Sequence, residues 1–333
     1  MLATVVALLP VVAFLLLLLV FDSFKLVPKG TLATVLLGGA AAALAASGLH
    51  GWIFDATGVG TTTLSRYVAP VSEETLKALA LLVPFGRRQI GFLVDAAIVG
   101  FAIGTGFALF ENIEYLRHLP ETGLWTWIAR GFGTAILHGL TTTVVALVAK
   151  SLIDHGRALA VALVPGWAAA VLLHGAYNHA LVSPILAAAM LMVVLPLVVL
   201  TVFTVSERRT REWVGAGLDL DLELLELVTS SAFGGTRFGR YLAELQTRFP
   251  GPVVADMFCL LQLDLELSIR VKGMLMAREA GFEVPVDDAL RARLEERAYL
   301  EQAIGRTGLI ALRPLQVTGD RDQWHRYLLR QAK

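Results

Sequence analysis

Three ionisable side chains stand within five residues of one apolar run: Glu73, Glu74 and Lys77 in P-V-S-E-E-T-L-K-A-L-A-L-L-V-P-F, residues 70–85. A charge at the centre of a bilayer costs about 2.5–3.5 kcal/mol on insertion scales, and less towards the interface, so intramembrane charges are candidates for function. Later apolar stretches hold Glu111 and Asn112, Arg130, His138, and His174 with Asn178. Hydrolysis of an amide by water needs a base for the water, a donor for the developing oxyanion and a proton for the leaving nitrogen. A carboxylate in an apolar setting serves as the base, imidazole donates or accepts, and the Asn178 amide can donate to an oxyanion. Adjacent helical residues point about 100° apart, so one of Glu73 and Glu74 is expected to face a shared cavity.

These residues need a membrane-spanning scaffold, and the composition supplies one. The chain has 333 residues, 56 % of them hydrophobic, with zero net charge and one cysteine, Cys259. Residues 1–205 carry 10 Lys/Arg and 9 Asp/Glu, whereas residues 206–333 carry 18 and 19. A transmembrane domain over 1–205 and a helical cytoplasmic domain over 206–333 are therefore expected. The lone cysteine excludes an intrachain disulfide and fits a reducing compartment. Neutral charge argues against nucleic acid. Apolar runs of bilayer length lie at 2–21, 31–50, 91–116, 124–149, 158–181 and 184–205. With 70–85 they make seven spans in an all-α polytopic bundle. The first run has no basic n-region and no A-x-A pattern, and reads as an uncleaved helix. Gly100 and Gly104, at small-xxx-small spacing, predict a close helix crossing.

Nine basic residues (Lys25, Lys29, Arg87, Arg88, Lys150, Arg157, Arg208, Arg209, Arg211) fall in connections on one side, and only Arg66 and Arg117 on the other. The positive-inside rule then puts the N-terminus outside and residues 206–333 in the cytoplasm. An even number of spans would break that asymmetry, which argues for 70–85 as a crossing. This orientation brings Glu73, Glu74, Glu111, Arg130, His174 and Asn178 to one depth near the outer face, with His138 slightly deeper. His174 and Asn178 share a helix face at i, i+4.

Structural roles compete for several of these residues. Glu73 and Lys77 are also spaced as a helix-surface pair. Ser72 is placed to cap a helix whose first turn holds the glutamates. A transmembrane histidine such as His138 can serve a bundle hydrogen bond, and Arg130 can simply neutralise a glutamate. His179, Asp22 and Asp95 read as interfacial, Glu114 as solvated, and Trp125, Trp127 and Tyr115 as an aromatic belt. Other intramembrane schemes fit poorly. There is no H-E-x-x-H zinc helix, Ala45-Ala46-Ser47-Gly48 lacks the leading glycine of a rhomboid G-x-S-G, no membrane aspartate pair is placed as in presenilin, and Cys259 lies outside the membrane half. A transporter or signalling scaffold with a buried charged coupling site is the competing class, though no inverted repeat is visible.

Four ordered motifs resemble the PrsW family of intramembrane proteases, within the wider CAAX-protease and bacteriocin-processing superfamily. They are Glu73-Glu74-x-x-Lys77, the Glu111-Asn112 pair closing G-F-A-L-F-E-N, Arg130 followed by His138-x-x-x-Thr142, and His174-Gly-x-x-Asn178. The resemblance covers roughly residues 31–200. It implies a peptidase that cleaves a membrane-anchored protein, such as an anti-sigma factor in a signalling cascade, at its extracytoplasmic side in the cell (inner) membrane. Glu73 or Glu74, His138, His174 and Asn178 would be catalytic, with Lys77, Glu111, Asn112 and Arg130 in support. Direct activation of water by a glutamate, with no cofactor, is the favoured route. Glu74, His138 and His174 could instead ligate Zn²⁺ with a water in the fourth position. The expected partners are the substrate and the bilayer, and a homo-oligomer is compatible with the sequence.

The second half is patterned as helices over 218–228, 238–249, 253–280 and 287–305, broken at Gly234-Gly235 and Pro250-Gly251-Pro252. It shows no catalytic or nucleotide motif, and a regulatory, substrate-gating or self-association role is the working expectation.

Overall fold

A computed structural model describes residues 2–22, 27–119, 121–282 and 287–315. All the regular structure among them is helical. Seven helices occupy the first part of the chain: α1 (Leu2–Phe21), α2 (Lys29–Thr57), α3 (Ala69–Gly86), α4 (Leu93–His118), α5 (Leu124–Asp154), α6 (Leu159–Asn178) and α7 (Pro184–Thr229). Six are long and apolar enough to cross a membrane. The other, α3, carries the three charges near its start. Its 18 residues rise about 27 Å at 1.5 Å per residue, close to the hydrocarbon thickness of a bilayer. It packs beside α2 and α6 within the same bundle. The seven expected segments are thus seven helices of a membrane bundle.

Burial divides the bundle into a centre and a rim. In α4 78 % of the apolar window is buried and in α5 67 %, against 22 % for α1 and 11 % for α7. A helix surrounded by other helices needs no polar face, and small residues let its neighbours come close. Both hold where α4 crosses α5. A Cβ on Gly104 would fall 2.2 Å from the His138 carbonyl oxygen, and one on Gly100 2.8 Å from that of Thr142. The small-xxx-small pair therefore sets the distance between α4 and the helix that carries His138. Around this crossing, Phe101, Ile103, Ile136, Leu140 and Ala146 form a continuous apolar core with Val11, Leu15 and Leu18 of α1.

Helix ends are handled locally. The Asp95 carboxylate accepts from the backbone N–H groups of Gly91 and Phe92, both at 2.9 Å, and so caps α4. It is buried at that helix end. Lys150 pairs with Asp154 in the last turn of α5. Ser72 caps nothing. A helical turn, Thr61–Thr63, and a π-helical turn, Leu64–Val68, already precede α3, so the helix begins upstream of it. Trp127 is buried and donates to the Thr122 carbonyl at 3.2 Å, while Trp125 remains exposed.

The chain divides into two units, Met1–Ser206 and Glu207–Lys333. The last expected span, 184–205, is the first part of α7, which continues without a break to Thr229; no Pro follows Pro196 in it, and it runs through Gly215 and Gly217. After it come a short turn, Phe233–Gly235, and the helices α8 (Arg237–Leu245), α9 (Gly251–Glu279) and α10 (Asp288–Leu312). The sequence pattern ends the final helix at Gly305; that glycine instead makes a kink, at φ 68°, within α10. In the second unit Lys272 Nζ and Asp221 Oδ2 form a buried ion pair, with the ammonium 5.4 Å above the Trp213 ring. The Asp287 carboxylate caps α10 and is held below its usual value, first by the Leu290 N–H and then by Arg270.

Two expectations follow for stability. Gly104→Val should lower the thermal stability of the detergent-solubilised protein by at least the about 1–3 kcal/mol typical of overpacking, whereas Gly48→Ala, which meets nothing within 4 Å, should not. In the second unit, Asp221→Ala leaves the Lys272 ammonium buried alone. A loss of about 3–5 kcal/mol should appear as a lower urea midpoint for proteolysis of residues 207–333. The double variant Asp221→Leu with Lys272→Met, which removes both charges, should recover most of it.

Candidate active site

Near the start of α3, helical spacing puts Glu74 and Lys77 on one face at i, i+3. Both side chains are fully buried, with Lys77 Nζ 2.6 Å from Glu74 Oε1. Glu73, about 100° round the helix, is nevertheless buried as well. Both glutamates are thus enclosed, and they meet different groups: Glu74 the Lys77 ammonium, Glu73 the rings of His50 and His174. A buried ion pair is tolerable only when its remaining donors and acceptors find partners. Here α5 and α6 provide them. Glu74 Oε1 also receives the Thr141 hydroxyl at 3.1 Å and His174 Nδ1 at 2.8 Å. Lys77 reaches His138 Nδ1 at 3.1 Å and Thr141 Oγ1 at 3.3 Å, over the Phe107 ring.

An ammonium only donates, so His138 Nδ1 accepts from Lys77. The hydrogen of the neutral ring then sits on Nε2, which points at Glu111 Oε2, 3.0 Å away. By the same reasoning His174 gives its Nδ1 hydrogen to Glu74 and leaves Nε2 bare, 3.9 Å from Glu73 Oε2. The two imidazoles meet edge to face, with centroids 5.1 Å apart. One ligand atom from each of Glu73, His138 and His174 lies within 4.8 Å of the others. The second carboxylate oxygens of Glu73 and Glu74 are buried and lack a hydrogen-bond partner. Such orphaned oxygens are costly unless a water, ion or substrate completes them.

A second layer braces the open side. Arg130 Nε donates to Asn112 Oδ1 at 3.0 Å, its guanidinium stacks 3.5 Å from the Tyr115 ring centroid, and its Nη2 lies 3.3 Å from Glu111 Oε2. Asn112 in turn donates to the Ala7 carbonyl of α1 at 2.8 Å. Arg130 stands in a π-helical turn, Ala129–Thr134. In a regular helix, eight residues would leave Arg130 and His138 about 80° apart. A π turn takes up one extra residue, which leaves about 20° and brings both to the Glu111 carboxylate. Side-chain exposure falls from 24 % at Glu111 and 13 % at Arg130 to 0 % at Glu74 and Lys77. The site is thus reached from the Glu111 side and closed at the Glu74–Lys77 pair.

The structure draws together Glu73, Glu74, Lys77, Glu111, Asn112, Arg130, His138 and His174. Asn178 is placed otherwise: its amide donates to the Ser65 carbonyl at 2.9 Å, in the π turn ahead of α3. The metal-ligand grouping also differs from the sequence expectation of Glu74, His138 and His174. The grouping contains Glu73 and not Glu74, whose Oε1 is held by Lys77, Thr141 and His174. Thr142 of the H-x-x-x-T motif donates to the His138 carbonyl at 2.9 Å and leaves the site to its neighbour. Two residues escape sequence reasoning. Thr141 sits among three threonines with nothing to single it out. His50 of α2 holds Ser72 Oγ at 2.7 Å and lies 4.0 Å from Glu73 Oε1; it belongs to no motif, and only its being a histidine in an apolar helix could flag it. His179, by contrast, bonds its own helix backbone at Gly175, and Glu114 accepts from the Ser47 hydroxyl.

Searches among curated proteins and among solved structures each find no match. A family profile does: residues 25–204 match the one described as PrsW family intramembrane metalloprotease. The matched stretch holds every residue of the cluster and all four motifs, and the family is one of peptidases embedded in a membrane. The chain belongs to the PrsW family.

Proposed function

We propose that the cluster hydrolyses a peptide bond of a membrane-anchored protein close to the outer face of the cell membrane. The observation that carries this reading is the convergence of two buried carboxylates, each with an unpartnered oxygen, on two histidines. The excess of basic residues in one set of connections supports an outer location for the site and a cytoplasmic location for residues 206–333. An anti-sigma-factor-like protein is the substrate class, and cleavage of it would pass a signal across the membrane.

Two histidines and a carboxylate are a donor set that suits Zn²⁺, and the bare His174 Nε2 together with the orphaned Glu73 oxygen supports the fit. Glu73, His138 and His174 would hold the ion, which when bound supplies an acidified water and polarises the scissile carbonyl. His138 bears a partner on each ring nitrogen, so it serves the ion only by releasing Lys77 or Glu111. Glu74 is the general base. Lys77, Thr141 and His174 fix its Oε1, which leaves Oε2 free to take the proton of the attacking water. The same carboxyl then returns that proton to the departing amine. By holding His174 Nδ1, Glu74 also keeps that imidazole in the orientation its Nε2 requires. Water is limited at the closed end by the buried Phe107 and Leu81.

Two tests address this. With tagged single-pass membrane proteins co-expressed as substrates, Glu74→Gln, His138→Ala and His174→Ala should each lower cleavage by about 10²–10⁴-fold, with insertion unchanged. Cleavage that survives all three would remove the site. In the purified protein, zinc is expected near one per chain, retained in Glu74→Gln and lost in Glu73→Ala and His174→Ala. Full activity in a metal-free preparation would return the chemistry to the carboxylates alone.

A further inference from the structure

We infer that Arg130 is a catalytic residue, the donor that receives the oxyanion of the scissile carbonyl. This rests on the peptidase reading above. The sequence nominates Asn178 for the task, but Asn178 turns its amide to the Ser65 carbonyl. Arg130 offers what Asn178 does not. Its Nη2 is buried and has no hydrogen-bond partner, even though Glu111 Oε2 lies 3.3 Å away. A buried guanidinium nitrogen that is ion-paired but makes no hydrogen bond still has N–H groups to give, and a preformed donor waiting for developing charge is the arrangement that stabilises an oxyanion.

Three further observations agree. The guanidinium is held still by Asn112 at Nε and by the face of Tyr115, so little reorganisation remains for the reaction. Its Nη2 approaches the same carboxylate oxygen that His138 Nε2 contacts, which places it beside the histidine cluster and not at the periphery. It also lies on the side where the site is open, so an incoming carbonyl meets it before reaching Glu74. In the step, the water oxygen bonds to the carbonyl carbon, the water proton passes to Glu74 Oε2, and the carbonyl π pair moves onto oxygen, where Arg130 Nη2 donates to it. Collapse re-forms the C=O bond, breaks the C–N bond and returns the proton to the departing nitrogen, giving a carboxyl and an amine terminus.

Reconstituted full-length protein with Arg130→Gln and Arg130→Lys tests the assignment through kcat, KM, zinc content and affinity for a peptide phosphinate. The phosphinate presents an anionic oxygen where the oxyanion forms. For Arg130→Gln, kcat should fall by about 10²–10³-fold, with KM and zinc within about twofold and phosphinate affinity weakened in parallel with kcat/KM. Arg130→Lys should retain an intermediate rate, because it keeps charge without the planar fork, and it provides the reading if the Gln variant fails to insert. Unchanged kcat, a rise confined to KM, loss of zinc, or phosphinate binding equal to wild type would each overturn the assignment and leave Arg130 a neutraliser of Glu111. Wild-type protein that neither cleaves nor binds the phosphinate would instead remove the peptidase reading itself.

Discussion

Everything in the membrane unit answers to the charge pair Glu74–Lys77. Two opposite charges at zero exposure cannot be left with idle donors and acceptors, because desolvation of the pair can exceed its Coulombic gain unless additional hydrogen bonds are made. The partners come from elsewhere in the chain: Thr141 and His138 from α5, His174 from α6. One buried carboxylate oxygen thereby ties α3 to two helices whose contacting residues lie 67 and 100 positions further along the chain. The same contacts that make the pair tolerable set the orientation of both imidazoles. Stability and chemistry share these atoms, and loss of Lys77 would disturb the histidines before it disturbed the helix that carries them.

The backbone is shaped to let those side chains meet. At the α4–α5 crossing, glycine at position 104 allows α4 to lie against the His138 carbonyl, so the histidine sits at a close helix crossing and its ring packs on Phe107 with centroids 4.8 Å apart. Where a regular helix would turn Arg130 away, the π turn recovers it. The other π turn, Leu64–Val68, exposes the Ser65 carbonyl that Asn178 meets. Both departures from regular helix lie next to the site, as π-bulges often do, and both serve a polar group that the regular geometry would leave without a partner.

Much of this was legible in the sequence. Hydropathy marks the helices, and three charges in an apolar run mark α3 as the one with a purpose. What the sequence conceals is local. Periodicity cannot announce a π turn, so the Arg130–His138 relation stays hidden. Three successive threonines look alike until the helix phase decides that Thr141 faces Glu74 and Thr142 the His138 carbonyl. The composition shift at Ser206 reads as a helix end, but a change of solvent is not a helix breaker, and α7 runs on. Asn178 sits in the right motif and at the right helix phase, yet its amide is turned to a backbone carbonyl that only the upstream π turn exposes.

The gradient of burial across the site separates two kinds of carboxylate. Glu74 is enclosed and triply bonded through one oxygen, so its carboxylate is held in place with only the second oxygen left without a hydrogen bond. Glu111 is partly exposed and is held by groups that themselves favour an anion, His138 Nε2 and the Arg130 guanidinium. An anion arriving from the open side competes for those same donors, and Glu111 has room to yield because solvent reaches it. Glu73 stands between the two, flanked by His174 on one oxygen and His50 on the other. It is the carboxylate whose unpartnered oxygen faces the histidines without being committed to Lys77. On the reading proposed above, the adjacency of Glu73 and Glu74, which in a surface helix would be mere repulsion, gives one residue to the ion-binding group and the other to proton transfer.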